Sequence, residues 1–203
     1  MEIRVFKDKA EISGYVNIPE RISKRLREHG SEFYEKINEG VFGDAIRRND
    51  NIKLLLNHDS TRQLASTKDN LHLTEDNVGL FARATITDED VVAKARSGNL
   101  SGWSFGFSPL KESVNDSYGD YPLRSIESLN LYEVSILDSN HIPAYNSMSL
   151  EVRDMGVGTI ETRSSEKLNI VVEKLQNEEL EQRDIVDNSF FINKINDLLN
   201  ERK

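Results

Sequence analysis

The chain has 203 residues, no cysteine and a formal net charge of −9. That length fits one domain of ordinary size with room for an appendage. The charge argues against a nucleic-acid footprint, and the lack of cysteine excludes disulfides and thiolate metal sites. Hydrophobic residues make up 37% and charged residues 30%, so the pattern is a modest core with something polar attached. The opening stretch, MEIRVFKDKAEISGYV, lacks the apolar core of a signal peptide. No apolar run approaches the roughly 20 residues of a membrane span, so the reading is a soluble, cytosolic protein.

Residues 1–18 read as one or two strands through Ile3, Val5, Ile12, Tyr15, Val16 and Ile18. Pro19 opens a stretch with a partial helical stripe, Ile22, Leu26, Phe33 and Ile37, interrupted by Gly30. EGVFGDAIRRND reads as a turn and a short helix, and NIKLLLNHD as a buried strand. DNLHLTEDNVGLFARATI alternates on either side of Asp76, Asn77 and Gly79, which predicts a hairpin. ITDEDVVAKARSG predicts a short helix capped at Thr87, with Asp90 three residues on and Gly98 at its end. LSGWSFGF predicts a strand, VNDSYGDYP a polar loop, and LRSIESLNLYEVSIL one or two more strands. Six or seven mainly antiparallel strands with two or three helices suggest a barrel or sandwich.

The composition changes near residue 150. The expected organisation is a domain over 1–150, a Gly/Ser/Thr-rich linker over 151–165, and an amphipathic helical tail over 166–203. In the tail Leu168, Val172 and Leu175 fall on one helical face, as do Phe191, Ile195 and Leu198.

LSGWSFGF sets small residues among large aromatics. On a strand, Ser101, Trp103, Phe105 and Phe107 share one face, while Leu100, Gly102, Ser104 and Gly106 share the other. The first is a packing face. The second is a shallow trench with the Ser104 hydroxyl in the middle, and glycine in a strand marks close approach of a backbone or ligand.

Alternation places His58 at the end of the apolar row Ile52, Leu54 and Leu56, at a strand end. A general base could stand there, and so could a histidine that is merely hydrogen-bonded. The same rule places Glu133 with Leu131, Ser135 and Leu137. A half-buried carboxylate there needs a partner: a histidine, or an arginine such as Arg83 or Arg124. It could also be a surface carboxylate on an edge strand. Asp59 beside His58, with no second histidine at helical spacing, is a weak metal signature, and no cofactor or metal is expected. The chain lacks the parallel βαβ rhythm that would support an α/β-hydrolase fold.

Six ordered landmarks carry a resemblance: EKINEGVFGDAI, LLLNHD, LHLTEDNVGLFARATI, GNLSGWSFGF, LYEVSIL and IPAYNS. Over residues 2–150 the chain resembles the prohead, or capsid maturation, proteases of tailed bacteriophages. The resemblance implies a fold like that of the herpesvirus assembly proteases, a small closed β-barrel ringed by helices. It implies a serine protease, with Ser104 of S-F-G-F as nucleophile rather than Ser101. His58 of LLLNHD falls on the family's base, and Glu133 of LYEVS on its orienting acid. Ala65 stands where many members have glycine, which affects the loop after the histidine.

An oxyanion hole is required for such chemistry, and backbone N–H groups near Gly102 or Gly106 are the candidates. The implied substrates are scaffold, the scaffold-like segment of the major capsid protein precursor, and the protease itself. The implied location is the inside of the immature capsid in the host cytoplasm. The tail would recruit the enzyme to scaffold or shell, and assembly would control activity. The rival from another class is a non-enzymatic assembly or scaffolding module, in which LSGWSFGF is a tight strand crossing.

Overall fold

The computed structural model describes residues 1–28, 30–139, 148–149, 152–154, 159–164 and 171–174. In chain order the elements are β1 (Glu2–Val5), β2 (Ala10–Asn17), β3 (Leu26–Glu28), β4 (Ser31–Ile37) and α1 (Val41–Arg48). Then come β5 (Lys53–Leu56), β6 (Asp59–Ser66), β7 (Leu71–Glu75), β8 (Leu80–Ile86), α2 (Glu89–Ser97), β9 (Leu100–Asn115) and β10 (Leu123–Asp138). Four short strands follow: β11 (Met148–Ser149), β12 (Val152–Asp154), β13 (Thr159–Ser164) and β14 (Val171–Lys174). No helix among the described residues is long and apolar enough to cross a membrane.

The protein is mostly β, as expected, but the closed barrel ringed by helices does not form. The strands make two open sheets. One runs β14-β1-β2-β8-β7, and the other runs β11-β3-β4-β10-β9-β13-β12, with β5 on β10 and β6 on β5. Closure needs every strand paired on both edges. Among the described residues β7, β14, β6, β11 and β12 each have one neighbour. The cause lies in β10, a single 16-residue strand where the sequence suggested one or two. Its first part pairs in parallel with β4 at residues 123–126, and its last part pairs in parallel with β5 at residues 133–136. The sheet thus forks along one edge of β10 instead of curling round. Two helices are described, and they do not encircle the sheets.

The stretch after Pro19 is the clearest departure in local structure. It forms the β3–β4 hairpin rather than a helix. After Gly30 the pattern has period two, and Phe33, Glu35 and Ile37 are all buried. The buried Glu35 carboxylate meets Arg124 of β10 at 3.2 Å, and Arg124 also donates to Glu112 at 2.8 Å. Phe33 and Ile37 are four apart, which suits a helix and a strand equally, and long-range pairing decides. Val171–Lys174, expected on a helix, is likewise extended and runs parallel to β1. Residues 151–165, expected as a linker, include β12 and β13. The stretch carrying Phe191, Ile195 and Leu198, and the landmark IPAYNS, lie outside the described residues.

Other expectations hold. The β7–β8 hairpin turns at residues 76–79. α2 ends at Gly98 in the left-handed region, φ 75°. Its N-cap is Asp88, one residue beyond the expected Thr87, and the Asp88 carboxylate accepts from Val91 N–H at 3.0 Å. Both sheets and both helices share one core, which includes Ile3, Ile12, Phe42, Val91, Trp103 and Phe105. Phe105 meets Phe42 edge-on at 5.3 Å and stacks on Phe107 at 5.5 Å. This packing fixes β9 rigidly under the residues discussed next.

Candidate active site

β9 and β10 are antiparallel neighbours, and their register fixes the site. Ser104 lies opposite Ser135, Phe105 opposite Val134, Gly106 opposite Glu133 and Phe107 opposite Leu131. Residues opposite each other share a face. Trp103, Phe105 and Phe107 therefore face the core with Ile136, Val134 and Leu131, all of them buried in it. Ser104, Gly106, Glu133 and Ser135 face the other way.

Simple alternation would put Leu131 and Glu133 on the same face. The register shift between them leaves Tyr132 as an extra residue. A bulge of this kind re-aims the next side chain. Here it turns Glu133 out of the core face and over Gly106. A Cβ built on Gly106 would lie 2.5 Å from Glu133 Oε1. The glycine in S-F-G-F thus leaves room for a carboxylate.

His58 arrives by a different device. β5 and β6 are joined by the two-residue turn Asn57–His58, with φ of 54° and 59°. Two left-handed residues in a two-residue hairpin match a type I′ turn, which favours asparagine first and glycine second. Histidine in the second place costs about 1 kcal/mol or more. Several bonds hold it there. Asn57 N–H donates to Ile136 C=O at 2.9 Å, and Asn57 Oδ1 accepts from Asp138 N–H at 2.9 Å. His58 N–H donates to Ser135 Oγ at 3.2 Å.

The turn overrides alternation. His58 does not continue the Leu54–Leu56 core row; its ring swings to the face of Ser135 and Glu133. His58 Nδ1 and Glu133 Oε1 are 2.6 Å apart, and Ser135 Oγ donates to Glu133 Oε2 at 2.5 Å. Both carboxylate oxygens accept, so Nδ1 carries the ring proton and Nε2 is the basic nitrogen. Glu133 is buried in a central strand, which excludes the surface and edge-strand readings. Its partner is the histidine, while Arg124 serves Glu35 and Glu112 and Arg83 lies 3.9 Å from Glu11.

The structure thus joins His58 to Glu133 through a hydrogen bond, and Ser104 lies across the ladder from Ser135. Ser101 serves elsewhere: its hydroxyl donates to Leu137 and Asp138 carbonyls at 3.2 and 3.1 Å. The expected open trench is closed, since residues 100–107 are all buried and Ser104 wholly so. Two residues carry the geometry beyond those singled out from sequence. Ser135 bridges base and acid, and its i,i+2 spacing from Glu133 was the available signal. Asn57 clamps the turn, and Asn-His between two strand-like runs was the signal for it.

Two expected results follow directly. Gly106→Ala forces the Glu133 carboxylate away from His58, so activity falls as far as in Glu133→Gln; steady-state kinetics beside a melting curve separates this from a loss of fold. Ser135→Ala removes one donor to Glu133 and one acceptor from His58 N–H. A hydrogen bond of about 1.4 kcal/mol is about tenfold in rate, and kcat should drop by that order with KM little changed.

A carboxylate bonded to an imidazole, next to a strand that carries a serine, outlines the site of a serine hydrolase. Comparison with known families is more specific. The chain belongs to the caudovirus prohead serine protease family, whose model matches residues 1–163. It is a serine peptidase of the capsid-maturation class. No curated protein and no solved structure gives a significant match.

Proposed function

We propose that the protein is an endopeptidase that cleaves scaffold and capsid-protein precursor segments, and its own chain, inside the immature capsid in the host cytoplasm. Ser104 is the nucleophile, His58 the general base and Glu133 the acid that orients it. The reading rests above all on the 2.6 Å bond between His58 Nδ1 and Glu133 Oε1 on the face of Ser104.

As Ser104 Oγ attacks the peptide carbonyl carbon, His58 Nε2 takes its proton. Glu133 stabilises the imidazolium without becoming protonated. The tetrahedral oxyanion collapses, the C–N bond breaks, and His58 returns the proton to the leaving amine. Water, deprotonated by His58, then hydrolyses the acyl-enzyme. Main-chain N–H groups near Gly102 or Gly106 are our candidates for the oxyanion hole.

We assign recruitment to the 166–203 tail, and within it to the residues after β14, where Phe191, Ile195 and Leu198 keep helical spacing. A chain ending at Lys174 should cleave added precursor yet be missing from purified proheads by mass spectrometry. Packaging equal to the full chain would remove the tail from this role. The test of the whole reading is co-expression of the full chain with the capsid protein precursor of the same phage. New termini on the precursor are expected, and an intact precursor after assembly would favour the non-enzymatic module.

A further inference from the structure

Ser104 is wholly buried, yet as a nucleophile it has to meet a carbonyl from another chain. The strand beside it indicates how. One edge of β9 is taken by β10 along its whole length. The other edge, at residues 104–107, is taken by β13, which runs antiparallel. Ser164 is level with Ser104, Arg163 with Phe105, Thr162 with Gly106 and Glu161 with Phe107. Proteins that bind extended peptides add them as a strand to a sheet edge, with main-chain hydrogen bonds supplying affinity. The edge of the nucleophile strand that such a peptide would use is already filled by the chain itself.

We propose that β13 is an internal strand seated in the substrate's place, and that a substrate main chain takes the same antiparallel register on residues 104–107 once β13 leaves. The proposal rests on the assignment of Ser104 as nucleophile. β13 is suited to leaving. Its sequence, TIETRS, has one large apolar residue. Beyond its four paired positions on β9, it is held by the three-residue β12 alone among the described strands. A two-stranded hairpin is marginal by itself, whereas β10 is tied to β9 along a long ladder over the core. The paired strands β12 and β13 are thus displaceable, and the peptide groups flanking Ser164 are those level with the nucleophile.

The test uses the full chain and a small fluorophosphonate that labels active serines. The double variant Thr162→Pro/Arg163→Pro removes two adjacent main-chain donors, one of which faces β9. It should label several-fold faster than the unaltered protein, and a synthetic peptide of residues 159–166 should slow it again. Equal rates in a folded variant, with Ser104→Ala unlabelled, would overturn the seat of β13 and leave the nucleophile standing. Labelling of Ser104→Ala as fast as the unaltered protein would overturn the nucleophile, and the proposal with it. A second measurement needs no variant. After full reaction of the unaltered chain with a peptidyl phosphonate bearing the sequence of residues 159–164, amide exchange at the chain's own 159–164 should rise while 131–137 stays protected. Unchanged protection at 159–164 would overturn the proposal.

Discussion

Ser104→Ala should abolish cleavage of the capsid precursor, whereas Ser101→Ala should retain most of it. The two serines are three residues apart on β9, so alternation sends them to opposite faces. Ser101 is spent on the Leu137 and Asp138 carbonyls at the end of the β9–β10 ladder. Its removal should cost about 1 kcal/mol of stability and leave the bonds among His58, Glu133 and Ser135 in place. Ser104 stands level with Ser135, whose hydroxyl connects His58 N–H to Glu133. With Ser104 as the proposed nucleophile, its loss should prevent acyl-enzyme formation, and a drop on the order of 10³-fold or more is expected. Precursor digestion followed by gel, with melting curves for both variants, makes the measurement. An active Ser104→Ala beside a dead Ser101→Ala would invert the assignment and the register together.

The candidate residues could be named from the sequence, and the direction in which their side chains point could not. Ser104, His58 and Glu133 could be picked out by alternation and by the resemblance of their segments. Strict alternation nevertheless put His58 on the core row and Glu133 beside Leu131. Two local departures from period two correct this: the left-handed Asn57–His58 turn and the extra residue Tyr132. Each adds or removes one step in the alternation, and each leaves only a faint mark in composition. Gly106 was read as space for a ligand or backbone, and the space is filled by the Glu133 carboxylate.

The closed barrel failed for a reason that no local pattern carries. The length of β10 and its two successive parallel partners, β4 and β5, are long-range facts. The 19–37 stretch failed because Phe33 and Ile37 satisfy both periods, and Arg124, distant in sequence, meets the Glu35 that a surface helix would have exposed. The sequence-level account is thus most reliable where a residue's chemistry is unusual for its place, and least where pairing partners lie far along the chain.

His58→Ala and Glu133→Gln separate base from orienter. His58→Ala leaves Ser104 without a proton acceptor and Glu133 as a buried carboxylate that has lost its imidazole. Activity should fall on the order of 10³-fold or more, and stability should fall too, since an unpartnered buried charge costs several kcal/mol. Ser135 Oγ still donates to Oε2, so the fold should survive. Glu133→Gln keeps the shape and the His58 base. The amide can still accept from Nδ1 through its oxygen, but it no longer carries the charge that stabilises the imidazolium. It can also present its NH₂ to Nδ1, which would draw the ring proton to Nε2 and block the base. The loss should therefore lie between that of Ser135→Ala and that of His58→Ala, with kcat affected more than KM. Circular dichroism on each variant checks the fold. Full activity in a folded His58→Ala would end the assignment of His58 as base, and a Glu133→Gln variant as fast as the unaltered protein would reduce the 2.6 Å bond to a structural tie.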